Sequence, residues 1–248
     1  MIHNRSAHTG LLVMVELCGV VVSVSAVDDF SPPTRRTQAE RRAATRQKLL
    51  QATMNCLARD GYAATTIGRI VKEASVSHGA SGHLFDSKTA LLLATADHAL
   101  QQIYKRWGNT LLTLDQAEDR LEALLRVTYQ DVLFGLESEV LLELLIAGKH
   151  DAEFNHYLRP LLEKFLHLFE RSAEHFFVTA QLEVNLHHMM LLTQWLFRGM
   201  ALDKRVIRSA SDFQPYFQSW LALMRQHVSA KPDVHQPPLR LSESLLKS

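Results

Sequence analysis

Between Gly61 and Lys88 the chain has room for two short helices and little else. Gly61 can stop the segment before it, because a helix commonly ends on a residue in left-handed geometry. Thr66 can cap a helix running through Ile67, Ile70 and Val71 to Ala74. A third helix begins near Ser77 and ends around Phe85. Asp86-Ser87-Lys88 then opens a long helix whose apolar residues include Leu91, Leu92 and Leu100. Upstream, SPPTRRTQAERR reads as a linker and a helix start, with Thr37 and Glu40 at capping-box spacing. From about 38 to 60 the pattern is helical, with Leu49, Leu50, Thr53 and Leu57 on one side. Arg35, Arg36, Arg41, Arg42, Arg46 and Lys48 crowd its leading half. A basic helix followed by two short ones across a tight turn is the helix-turn-helix layout.

The remainder reads as helix after helix, with breaks expected near Asn109, Gly135, Lys149–Asp151, Thr179–Ala180, Asp203–Ser211 and Ala230. No alternating strand pattern or internal repeat appears, so the fold class is all-α. The expected organisation is an extension over 1–34, a three-helix DNA-binding domain over 35–90, a helical ligand-binding and dimerisation domain over 91–230, and an unstructured tail over 231–248.

Charge follows the same division. Residues 35–90 hold ten Lys and Arg against four Asp and Glu, whereas residues 91–248 hold sixteen against nineteen. A basic module ahead of a mildly acidic body suits a polyanion partner, and a solvated basic surface is the bland alternative. Two cysteines cannot build a disulfide framework or a zinc site; Cys56, in an apolar-periodic stretch, reads as a buried thiol. The stretch LLVMVELCGVVVSVSAV is too short and too interrupted for a membrane span. It leaves three readings open: a reading frame extended upstream of Met14 or a later valine, a loosely packed arm, or a weak export signal ending at Val24-Ser25-Ala26.

VSHGASGHLFDSKTALLLA sets Ser81 between His78 and His83, which invites a nucleophile reading. GASGH is not G-x-S-x-G, however, and no strand precedes it to build a nucleophile elbow. Helical geometry does not put both histidines beside Ser81. An enzyme is therefore not expected. Glu163, His167, Glu170 and Glu174 lie along one helical stripe that could hold a metal, but such acid-rich stripes are usually solvated, and neither a metal nor a cofactor is expected.

RQKLLQATMNCLARDGYAATTIGRIVKEA, VSHGA and HLFDSKTALLLA resemble the DNA-binding domain of TetR-family transcriptional regulators over about residues 40–100. LELLIAGKHDAEFNHYLRPLLEKF and WLFRGMALD carry a looser likeness to the family's ligand and dimer domain. The resemblance implies a cytoplasmic homodimer with no membrane partner, most simply a repressor of double-stranded operator DNA released by a small-molecule effector. A helical ligand-binding protein whose helix-turn-helix no longer binds DNA is the second reading.

Carried onto this chain, the DNA contacts would be Arg46, Thr65, Thr66, Ser77, His78, Gly79, Ala80, Ser81, Gly82, His83 and Lys88. This chain departs from the family pattern at Ser75 (usually Gly), Ser81 (usually apolar) and Gly82 (commonly a phosphate-touching Tyr). For the effector, Trp107, Tyr129, Phe134, Phe169, His188 and Trp195 are the candidates among aromatic and polar residues of the second half. Segments 183–201 and 212–228 are more apolar than one buried face needs. They suggest a dimer interface with Met189, Met190, Leu196, Phe217, Trp220 and Met224; burial within one protomer is the alternative.

Overall fold

A computed structural model of the chain describes residues 37–113, 119–179, 183–206, 210–232 and 234. The extension over 1–34 and most of the tail lie outside the described residues. The described helices are α1 (Gln38–Ala64), α2 (Ile67–Glu73), α3 (His78–Gly82), α4 (Lys88–Thr113), α5 (Arg120–Phe134), α6 (Leu136–His150), α7 (Ala152–Phe176), α8 (Leu186–Val206) and α9 (Gln214–His227), with a 3-10 turn at Ala210–Phe213.

The caps form where side-chain oxygens stand ready to accept the first free backbone N–H groups. Thr66 Oγ1 accepts from Arg69 N at 3.3 Å, Ser77 Oγ from Ala80 N at 3.2 Å, and Ser87 Oγ from Ala90 N at 3.0 Å. Gly61 sits at φ 75, ψ 173, so the continuous span assigned to α1 bends there. That conformation favours glycine, and it turns Tyr62 back toward the body. Tyr62 packs on Phe154 with ring centroids 5.7 Å apart, and its hydroxyl reaches Asp151 Oδ2 at 3.4 Å. Asp151 also caps α7, accepting from Phe154 N at 2.9 Å.

Two hydrophobic clusters result. A small one holds Leu49, Leu50, Ala52, Cys56, Ile70, Val71, Ala74 and Leu91 and joins α1 and α2 to the start of α4, with Val76, Leu84 and Phe85 on either side of α3 packed against it. A large one starts from Met54, Leu57 and Leu92 and runs through α4–α9. Arg106 ties three helices of the body together. Its Nε donates to Asp131 Oδ1 at 2.9 Å, and its two terminal nitrogens donate to the two Glu137 oxygens at 3.0 Å each.

Three expectations need correcting. No break occurs at Asn109: α4 runs on to Thr113, with Trp107 and Leu111 buried on its inner face. Two short strands do exist, Phe177–Thr179 (β1) and Val228–Ala230 (β2), paired antiparallel with Phe177 opposite Ala230. Three residues each are too few to show alternation in the sequence. The tail does not leave the body at once: Lys231 N donates to Phe176 O at 2.8 Å, and Val234 packs on the large cluster.

Ser75, where glycine is usual, takes φ 53 in the turn between α2 and α3. A side chain in left-handed geometry costs about 1–2 kcal/mol, and glycine gives back about 0.5–1 kcal/mol through its looser unfolded state. Ser75→Gly is therefore expected to stabilise the protein by about 0.5–1 kcal/mol in urea unfolding. An unchanged or lowered midpoint would mean that the turn is not strained.

Candidate nucleic-acid interface and effector cavity

The head presents α3 with one side buried and the other open. Ser77, His78, Gly79, Gly82 and His83 are exposed, and Ala80 is half-buried. Nothing lies within 4 Å of a side-chain carbon built on Gly79 or Gly82, so this face of the helix is thin. A thin, exposed helix face is what close approach to base edges in a major groove requires. Thr66 and Ser77 use their oxygens as acceptors in capping, which leaves each hydroxyl hydrogen able to donate to a phosphate.

Of the expected DNA contacts, Ser81 and Thr65 are buried and Lys88 is half-buried. Ser81 is buried in the head at 3 % exposure, where the helix turns its other face to Leu84 and Phe85. Thr65 is fully buried and donates to Gly61 O at 2.7 Å, closing the turn after α1. Lys88 is half-buried, with its ammonium 4.7 Å from the Tyr62 ring centroid and 3.5 Å from Tyr62 O, and burial lowers its pKa. It props the Tyr62 corner rather than standing free. Residue spacing identifies the helix but not which of its sides packs inward.

The head's basic charge is also sorted by the structure. Arg59 pairs with Asp60 and Glu73, and Arg69 with Asp60, so those cations are locally balanced. Arg41, Arg42, Arg46 and Lys48 are exposed on the leading half of α1 and make no ion pair among the described residues. Arg46 lies over the Phe85 ring at 5.7 Å, which brings its charge beside the end of α3.

The body contains a cavity of about 130 Å³. Leu100, Ile103 and Trp107 of α4 form one wall. Val132 to Gly135 close another, α6 contributes Ser138, Glu139 and Leu142, and α8 contributes Gln194, Arg198, Ala201 and Lys204. Of the expected effector residues, Trp107 and Phe134 line this cavity. Tyr129 is packed against Phe197 and Phe217 in the core, and Phe169 stacks behind Trp107 at 4.8 Å.

His188 and Trp195 lie on the outer side of α8, Trp195 with 56 % exposure. Gln194, a polar handle that the sequence also offered, lines the cavity, and the charged lining residues that sequence reasoning missed include Arg198 and Lys204. A signal was present: Arg198 is the one Asp, Glu, Lys or Arg between Glu183 and Asp203.

The expected interface residues divide likewise. Met190, Phe217 and Met224 are in the protomer's core, whereas Met189, Leu196 and Trp220 are partly buried against it. What α8 and α9 leave exposed is a different set: Leu192, Trp195 and Leu202 on α8, Tyr216 and Leu223 on α9. In the acid-rich stripe of α7, Glu163 is ion-paired with Arg159 at 2.7 Å and Glu170 lies 2.6 Å from His187 Nδ1. Among the described residues no helix is long and apolar enough to cross a membrane.

Fold and head together define a helix-turn-helix protein with a helical body. Residues 49–95 match the bacterial regulatory proteins of the tetR family. The HTH-type transcriptional regulator CymR of Pseudomonas putida is 33 % identical over 134 residues, which are 53 % of this chain and 64 % of CymR. An uncharacterized HTH-type transcriptional regulator of Mycobacterium tuberculosis H37Rv is 29 % identical over 130 residues, 52 % of this chain and 66 % of the relative. The chain thus spans just under two thirds of these relatives.

Among solved structures, a TetR transcription regulator from Haloarcula marismortui matches with a TM-score of 0.59 at 21 % identity, over 75 % of this chain and 100 % of that one. Reduced Escherichia coli NemR matches with a TM-score of 0.59 at 18 % identity, over 75 % and 99 %. At these identities the structural likeness speaks for the fold. Over residues 49–95 the chain is thus similar to the bacterial regulatory proteins of the tetR family, and beyond that segment the likeness is one of fold.

Proposed function

We propose that this protein is a dimeric, DNA-binding transcriptional repressor whose grip on its operator is set by a small molecule in the body cavity. The observation that carries the reading is the thin, exposed face of α3 beside unpaired basic residues of α1. Ser77, His78, Gly79, Gly82 and His83 would face the major groove, with Thr66 and Arg46 on the backbone.

Coupling would run along α4. From Lys88 to Trp107 that helix covers about 28 Å at 1.5 Å per residue. Its first turn packs under the head, and Leu100, Ile103 and Trp107 form a cavity wall. A ligand that pushes this wall would tilt the head. A coupling of a few kcal/mol is enough to release an operator.

Dimerisation would use the exposed stripe of α8 and α9. Leu192, Trp195, Gly199 and Leu202 recur at helical spacing and are all exposed, and Tyr216 and Leu223 extend the apolar surface on α9. Met190, Phe217 and Met224 support that surface from beneath.

The function is tested by titrating the protein onto a duplex carrying the promoter next to its gene, at several salt concentrations. Affinity is expected to fall steeply with salt, since each neutralised phosphate releases counterions. Arg46→Ala should weaken all sequences alike and flatten the salt slope by about one unit. His78→Ala and His83→Ala should instead change which duplex is preferred. Gly82→Tyr, which fills open space on the outer face of α3, should tighten binding by about threefold or more through one added hydrogen bond. Absence of binding to any duplex at low salt would leave the ligand-binding protein without DNA activity as the reading.

The assembly is tested by Trp195→Glu. It is expected to give folded monomers, by light scattering and circular dichroism, that bind the duplex weakly because two heads no longer act together. A wild-type protein that is monomeric at micromolar concentration would contradict the interface.

A further inference from the structure

The cavity holds an unbalanced charge. Its charged lining residues are Glu139, Arg198 and Lys204, two cations against one carboxylate. Lys204 is already satisfied, since its ammonium donates to Leu133 O and lies 4.4 Å from the Phe134 ring centroid. Glu139 also has a partner. Arg198 does not: among the described residues its guanidinium makes no hydrogen bond or ion pair.

Burial alone lowers the Arg198 pKa, with no neighbouring charge acting to offset it. Arg198 is half-buried, and a guanidinium with no protein acceptor keeps its N–H donors available to an anion. Leu100, Ile103 and Trp107 of α4 give the cavity an apolar wall. Gln194, one helical turn before Arg198 on α8, is buried beside it and adds an amide donor.

Building on the effector reading, we infer that the molecule bound here is a small monocarboxylate, with its carboxylate on Arg198 and its apolar body against the α4 wall. The geometry of guanidinium and carboxylate suits two parallel hydrogen bonds, and Gln194 can donate a third. A single negative charge balances the lining. Size fits a single ring or a six-carbon chain, since a void of about 150 Å³ accepts benzene. The arrangement also explains why α8 carries a lone charge in an otherwise uncharged stretch.

Calorimetric titration of the whole chain with benzoate, phenylacetate and hexanoate, and with their three primary amides, tests this. At least one acid is expected to bind about tenfold or more tighter than its amide, the range of a charge-assisted hydrogen bond. Arg198→Met should erase the preference while leaving the ligand-free melting temperature no lower than wild type, because Arg198 has no hydrogen bond or ion pair to lose among the described residues; Arg198→Lys should keep part of the preference.

Amides that bind as tightly as the acids would overturn the carboxylate assignment while leaving the cavity as an effector site. So would an acid preference that survives in Arg198→Met, or a clear loss of ligand-free stability in that variant, which would give Arg198 a structural task. Absence of binding by all six compounds would overturn the effector reading of the cavity and this assignment with it.

Discussion

Leu91 and Leu92 are neighbours in the sequence and belong to different cores. Leu91 is buried in the head cluster with Leu49, Cys56 and Ile70, and Leu92 in the body cluster with Met54 and Leu57. A helix can do this because successive residues are about 100° apart around its axis. The first turns of α4 are therefore wedged between two apolar clusters, and α1 is shared in the same way. Each cluster depends on these two helices for part of its wall. The head is thus not a module hung on a linker.

The corner at Gly61 completes that arrangement. The left-handed glycine turns Tyr62 onto Phe154 and Asp151, at the junction of α6 and α7. Lys88, at the first residue of α4, covers the other side of the same ring. One aromatic side chain therefore touches the end of α1, the start of α4 and the start of α7. In the proposed coupling, a shift of α4 at the cavity would act against this corner.

Much of this was legible in the sequence, and the reasons are local. Thr66, Ser77 and Ser87 announce helix starts because capping is a property of three or four adjacent residues. Gly61 announces a stop because only glycine enters left-handed geometry without strain. The family motifs fix the head for the same reason, since its contacts are short-range. What could not be read depends on which face of a helix turns inward. Met190, Phe217 and Met224 look no different in sequence from Leu192 and Leu223, yet the first three are buried and the last two exposed. Trp195 and Arg198, three residues apart, are separated in the same way: Trp195 reaches solvent and Arg198 lines the cavity. The β1–β2 pair escaped because three residues carry no period.

Calorimetric unfolding tests the sharing of α1 and α4 most directly. If the head and the body are joined through Leu91, Leu92 and Tyr62, the described fold melts as one cooperative unit, with a single heat-absorption peak and the same midpoint by far-ultraviolet circular dichroism and by tryptophan fluorescence, whose reporters all lie in the body. A separate transition in which helical signal is lost before the tryptophan signal moves would show that the head unfolds alone, and would contradict the rigid link through α4.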